Sequence, residues 1–310
     1  ADADIHYQLT ESLDAGTTTG WTLTLDNKSI EQYNSAGRLD SVTSRNGFTR
    51  TLAYENDLLK TVTGHFGRTL SFEYTDGLMS KVIDPAQEAT LYNYDDQQRL
   101  ETITSPDQRT ITYLYEDTNH PDSITGIKEN GVRTATYSYY DDGKVQSSEL
   151  AGGVNKVTMT YNEDGTTTVV DALNAERIYE FETILGVRKV VNVTGDTCAS
   201  CGANINRREY DSIGNVKLSE NANGHITTFL YEDTAVPDLP TTRTEAVGTD
   251  QERTIITEWN AELRLPKKVS RTGQTVEFEY NADSQLKTVT VTDTETSKQQ
   301  ITTFDYHASK

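Results

Sequence analysis

Tyr33-Asn34-Ser35-Ala36-Gly37-Arg38-Leu39 returns as Tyr94-Asp95-Asp96-Gln97-Gln98-Arg99-Leu100, and in shorter form as Tyr210-Asp211-Ser212-Ile213-Gly214-Asn215. Working outward from its leading aromatic residue, anchors fall at Tyr33, Tyr54, Tyr74, Tyr94, Tyr115, Tyr139, Tyr161, Phe181, Tyr210, Tyr231, Trp259, Tyr280 and Tyr306. Most successive anchors are 20 to 22 residues apart, and the longer gaps localise insertions at 117–124, 194–206, 234–252 and 292–300. A unit this short cannot bury an apolar face alone, so a chain made of such units is a repeat architecture in which neighbours close one another.

Two glycine positions keep a constant offset from the anchor. Four residues after it stand Gly37, Gly143, Gly165 and Gly214, each preceded by Asn, Asp or Ser, the composition of a turn closed by a residue at positive φ. Seven residues before it stand Gly47, Gly67, Gly224 and Gly273, which mark the opposite turn. Units without that glycine place Asp84-Pro85-Ala86-Gln87 or Ser105-Pro106-Asp107-Gln108 there, also turn chemistry.

Between turns the chain alternates with period two, as in Leu70, Phe72 and Tyr74 against Thr69, Ser71 and Glu73. The returning strand breaks phase, because Leu39 and Val42, Leu59 and Val62, Leu100 and Ile103, and Leu286 and Val289 are each three apart. An unbroken strand cannot put both members on one face, which predicts a bulge or an extended turn in each unit. The expected fold is all-β, a series of antiparallel hairpins. Residues 1–32 are read as lead-in strands and 33–310 as the repeat array. Phe72, Tyr92, Tyr113, Tyr137, Phe229, Phe278 and Phe304, two residues before their anchors, are expected to form core.

The 310 residues include 28 Lys plus Arg against 48 Asp plus Glu, a formal charge of −20. Such a field repels phosphate backbones and argues against nucleic acid as a partner. No run of 18 apolar residues occurs, so no helical membrane span is expected, and residues 1–6 carry no signal-peptide pattern. The absence of an initiator Met and an end at Lys310, inside an expected turn, are read as signs of a piece of a longer chain.

The stretches at 33–39, 94–100 and 210–215 resemble the YD repeat of bacterial RHS proteins, and the resemblance runs from about Gly20 to Tyr306. Gly20-Trp21-Thr22-Leu23-Thr24-Leu25 is similar to the lead-in of such proteins. The segment from Thr244 to Thr249, followed by Arg253 to Trp259 and Arg264-Leu265-Pro266, is similar to one common in their large Gram-negative members. The resemblance implies a spiralling β-strip forming part of a hollow shell around a C-terminal, usually toxic, polypeptide. Tc-toxin cocoons, polymorphic toxins and teneurin barrels are the known settings. It implies a secreted or surface-exposed bacterial protein, no catalysis in the strip, no cofactor, and two partners, the rest of the shell and its cargo. The chain holds no RHS core with self-cleavage aspartates, no plug and no toxin domain. The rival reading is a surface adhesion module that binds glycan or protein.

Candidate chemistry is sparse. Cys198 and Cys201 have CxxC spacing, open to a local disulfide or inert thiol pair, a metal shared with another segment, or a redox pair. Within the resemblance they imply a structural clip. The histidines His6, His65, His120, His225 and His307 are scattered, with no metal-binding or triad spacing. The acidic doublets Asp95-Asp96, Glu116-Asp117, Asp141-Asp142 and Glu232-Asp233 follow anchors, where aspartate opens a turn. No catalytic, cofactor or metal residue is assigned.

Overall fold

The structure, a computed structural model, describes residues 7–195 and 206–306. These form 27 strands and a single three-residue 3₁₀ turn, Ala151–Gly153. Every described strand pairing is antiparallel and joins strands adjacent in the chain. No helix among the described residues is long and apolar enough to cross a membrane.

The described residues divide into two compact units. One holds residues 50–181 and 193–195 and is a meander in which each strand from Leu58–Thr63 to Glu176–Ile184 pairs with the next. The other holds 7–49, 182–192 and 206–306. It contains one run from Gln8–Asp14 to Leu39–Thr43 and a second from Arg207–Tyr210 to Gln299–Thr303.

Two kinds of turn make these hairpins. Asp76-Gly77 (φ 51° and 81°), Asn130-Gly131 (48° and 81°) and Asn56-Asp57 (49° and 69°) are two-residue turns with both central residues left-handed, the geometry whose twist matches a hairpin. The longer turn is seen at Asn34–Arg38, where the Asn34 N–H donates to Arg38 O and the Gly37 N–H to Asn34 O, both at 2.9 Å. Gly37 sits at φ 77°. The 20-residue spacings from Tyr54 to Tyr74 and Tyr74 to Tyr94 follow two-residue turns, and the 21-residue spacings from Tyr33 and Tyr94 follow the longer one.

The phase break is a bulge. Gln32 pairs with Ser41 but Tyr33 pairs with Leu39, so Asp40 is the extra residue. The same shift leaves out Lys60, Ser80, Glu101, Gln146, Lys217, Lys267 and Lys287. All eight are polar or charged and all but Ser80 are exposed. Leu39 faces Tyr33 and Val42 faces Glu31, so both apolar residues reach one face despite their spacing of three. The Thr167–Val170 hairpin is an exception: Tyr161 pairs with Thr167 without a shift.

One face of each ladder is aromatic and aliphatic, and the other is rich in threonine. On the threonine face, cross-strand hydroxyls meet at Thr43–Thr49 (3.0 Å), Thr63–Thr69 (3.1 Å) and Thr244–Thr254 (3.2 Å). The expected aromatic core is not formed. Phe72, Tyr92, Tyr113, Tyr137, Phe229 and Phe278 are only half-buried, and Phe304 is exposed. Among the described residues Ala135 and Val236 are the sole buried hydrophobic side chains. Cross-strand neighbours cover the rings from the sides and leave them half-buried.

Candidate functional site

The feature that recurs along the chain is a clip between successive hairpins, assembled from the residues of the opening stretch. Aspartate after the anchor shapes the turn. Asp95 Oδ1 accepts the backbone N–H groups of Gln97 (3.0 Å) and Arg99 (2.9 Å). Asn34, Asp211 and Asn281, also directly after anchors, and Asp84, Asp171 and Asn221, which open the opposite turn, each accept the same two amides, two and four residues on. A short side chain with an acceptor at this reach mimics a backbone turn, which is why the position takes Asp or Asn.

The glycines four after the anchor hold φ 77° at Gly37, 83° at Gly143, 86° at Gly165 and 83° at Gly214. In the opposite turn, Gly47, Gly67, Gly224 and Gly273 lie between 76° and 83°. Where glycine is missing another polar residue takes the conformation, Gln87 at 66°, Gln98 at 62°, Gln108 at 66°, Asn174 at 62° and Ser284 at 60°.

The anchor hydroxyl makes the clip. Tyr74 donates to Leu59 O (2.9 Å), Tyr94 to Met79 O (3.0 Å) and Tyr115 to Leu100 O (2.9 Å). Tyr161 donates to Val145 O (3.1 Å), Tyr231 to Val216 O (3.0 Å), Tyr280 to Pro266 O (2.8 Å) and Tyr306 to Leu286 O (2.8 Å). In each case the acceptor is the residue opposite the preceding anchor, just before the bulge, as Met79 is opposite Tyr74 and Leu100 opposite Tyr94. The ladder to the next hairpin stops two residues short of that carbonyl, at Lys81 with Leu91 and at Thr102 with Thr112. The ladder to the next hairpin thus does not reach that carbonyl, and the next tyrosine supplies a donor from that side. Burial pushes the phenols of Tyr115, Tyr231 and Tyr280 above their ordinary value of 10, which keeps them protonated as donors. Tyr210 donates to Val190 O (3.1 Å), whereas Tyr33 turns to the Glu31 carboxylate (2.5 Å) and Tyr54 pairs with Leu59 across its strand.

Arginine five after the anchor completes the motif. The Arg99 guanidinium lies 4.4 Å from the centre of the Tyr115 ring and pairs with Asp95 at 2.7 Å. Lys144 stands in the same relation to Tyr161, at 5.2 Å, and Lys189 covers Tyr210 at 5.1 Å.

Two of the insertions contain a device that the sequence reading treats as unrelated loops. Tyr115-Glu116-Asp117-Thr118-Asn119-His120-Pro121-Asp122-Ser123-Ile124-Thr125 and Tyr231-Glu232-Asp233-Thr234-Ala235-Val236-Pro237-Asp238-Leu239-Pro240-Thr241 share Tyr-Glu-Asp-Thr, Pro-Asp and Thr at matching places. Their bonds match too. The N–H of Thr125 reaches Leu114 O at 2.7 Å, and that of Thr241 reaches Leu230 O at 2.8 Å. Thr125 and Thr241 hydroxyls accept from the N–H of Glu116 (3.0 Å) and Glu232 (3.2 Å). Pro121 O accepts from Arg99 and Pro237 O from Asn215 (2.9 Å), each donor five after the preceding anchor. Ile124 O accepts from the Tyr139 hydroxyl (2.6 Å), and Pro240 O from the Trp259 indole N–H (3.0 Å). Each strap therefore ties the turn of the hairpin before it to the anchor of the hairpin after it. The shared residues, 116 positions apart, were the available signal.

Cys198 and Cys201 lie outside the described residues, as do His6 and His307. His120 sits in the first strap, and the acidic doublets serve their turns: Asp95 pairs with Arg99, Glu116 with Arg133 (3.0 Å) and Asp142 with Lys144 (2.6 Å). Among the described residues no group of three or more His, Cys, Asp or Glu is placed to hold a metal ion.

No family model matches the chain, and no curated protein matches it either. Solved structures similar to it include TcdB2-TccC3 without its hypervariable C-terminal region, at 10% identity and a TM-score of 0.48 over 96% of this chain. The full TcdB2-TccC3 structure follows at 10% identity and 0.38 over 96%, and the Photorhabdus luminescens Tc holotoxin pore carrying a TccC3 mutation at 10% and 0.39 over 94%. The chain spans 22%, 26% and 23% of those three chains, respectively.

Proposed function

We propose that the chain is a wall segment of a YD-repeat shell in an exported RHS-type protein, acting by steric enclosure of a C-terminal effector rather than by catalysis. The observation that carries this reading is the clip. The same hydroxyl-to-carbonyl bond, drawn from the same motif position, joins hairpin after hairpin, so the repeated residues are spent on continuing a wall. A sheet whose aromatic stripe is only half-buried suits a segment whose surroundings come from elsewhere in the same protein or from its cargo. The partners on this reading are the remainder of the shell and that cargo, and the setting is extracellular.

The test is the intact mass and peptide map of the native parent protein. Peptides continuing past Lys310 into a core and a separate C-terminal domain, with that domain protected from protease until the shell is opened, are the expected result. A mature product ending near Lys310 would sink the shell reading and favour a recognition module, whose surface would then be screened against glycans and cell-surface proteins.

A further inference from the structure

We infer that the strap from Tyr115 to Thr125 is a latch that tightens on acidification, with His120 as its titrating pin, whereas its counterpart from Tyr231 to Thr241 does not respond to pH.

The chemistry follows from what the imidazole faces. His120 Nδ1 lies 3.2 Å from the Asp117 carboxylate and Nε2 lies 3.3 Å from the carbonyl oxygen of Asp141. Both partners accept and neither donates. A neutral imidazole carries one N–H, so it leaves one of these acceptors facing a lone pair, and only the imidazolium donates to both. The two bonds join separate elements, because Asp117 belongs to the strap and Asp141 to the Tyr140–Lys144 turn of the next hairpin. The ring also lies 3.7 Å from the point where a Cβ on Gly143 of that turn would stand, and 6.1 Å from the Tyr139 ring.

The charged groups around the ring favour the cation. On the strap itself are Asp117 and Asp122, and on the following turn Asp141 and Asp142, the latter paired with Lys144 at 2.6 Å. From the preceding turn comes Arg99, which is engaged with Asp95 and with Pro121 O. Tyr139, on the Val132–Tyr139 strand, has its phenol pushed up by burial and contributes no charge. The nearby cations are thus neutralised by their own partners, while Asp117 and Asp141 act on the ring. The Asp117 hydrogen bond accordingly raises His120 above its ordinary value of 6.5.

The sign follows by linkage. A histidine whose folded value is raised contributes stability fully below about 6.5, and that contribution is lost as pH rises through the higher folded value. The second strap supplies the control. Val236 occupies the place of His120, is fully buried and does not titrate.

The experiment is hydrogen exchange by mass spectrometry on the intact parent protein, compared at about pH 6 and about pH 8.5 after correction for chemical exchange rates. Peptides covering 117–125 should lose protection about threefold or more at the higher pH while those covering 233–241 hold theirs. In His120→Val, which copies the second strap, the difference between the two pH values should vanish. Ring ¹⁵N shifts of wild-type His120 give an independent reading, with both nitrogens protonated at about pH 6. Equal pH response in the two straps, a response of opposite sign, or a neutral ring at about pH 6 would each overturn the latch.

Discussion

Replacing Tyr94 with phenylalanine removes one oxygen and nothing else, which isolates the clip from the packing of the ring. The lost bond is 3.0 Å long and ends on Met79 O, and the strand ladder beside it has already stopped at Lys81 with Leu91. The deletion takes a donor away from an acceptor in a half-buried site. A net hydrogen bond of this kind is worth about 1 kcal/mol, and partial exposure lets water take over some of the loss, so about 0.5–1.5 kcal/mol is expected. Tyr231→Phe, which frees Val216 O, should cost the same. The matched controls are Tyr92→Phe and Tyr113→Phe, two residues before their anchors, where neither hydroxyl makes a hydrogen bond among the described residues and where other units already carry Phe72, Phe229, Phe278 and Phe304. These should fall within about 0.3 kcal/mol of wild type. Hydrogen exchange reads the effect locally, as a fall in the opening free energy of the Ala89–Tyr94 strand, and urea unfolding reads it globally. Anchor variants as neutral as their controls, or controls as costly as the anchors, would refute the role given to the hydroxyl.

Gln98→Gly and Gln108→Gly should each stabilise by about 0.5–1 kcal/mol, because relief of the left-handed strain outweighs the added chain entropy, and Gly37→Ala should destabilise by about 1 kcal/mol, all by urea midpoints. Acid should open the turns. At Asp142 the Lys144 side chain, at Asp164 the Thr166 amide and at Asp293 the Thr296 amide hold the carboxyls below 3.8, so their stabilisation is present above that value and lost as pH falls through the lower folded ones. An Asp142→Asn variant should shift the acid transition seen by circular dichroism, and an unchanged midpoint would count against the turn's role. The chain taken alone should self-associate, because Gln8–Asp14 and Gln299–Thr303 are exposed along their whole length and the aromatic stripe is only half-buried. A monodisperse monomer in sedimentation would contradict this.

Much of the local structure is legible in the chain itself. Anchor spacing, turn glycines and the Asp or Asn after the anchor report backbone conformations that depend on a few adjacent residues. The Leu39 and Val42 phase break is enough to expect a bulge, because a period of two admits no other way to put both on one face. The two-residue turns are equally local, signalled by Asp76-Gly77 and Asn130-Gly131, whose glycines stand at neither of the two recurring offsets from the anchor.

What needed the tertiary structure is whatever joins one hairpin to the next. That Tyr115 closes on Leu100 O, that Pro121 and Pro237 are held from the turn before them, and that His120 meets Asp141 are contacts between residues 15 to 22 apart in sequence. The clip recurs with the repeat, yet which carbonyl it meets is set by where the bulge halts the ladder to the next hairpin. The aromatic stripe shows the same divide. Alternation tells which side chains share a face, but burial depends on what lies above that face, and cross-strand neighbours alone leave these rings half-buried.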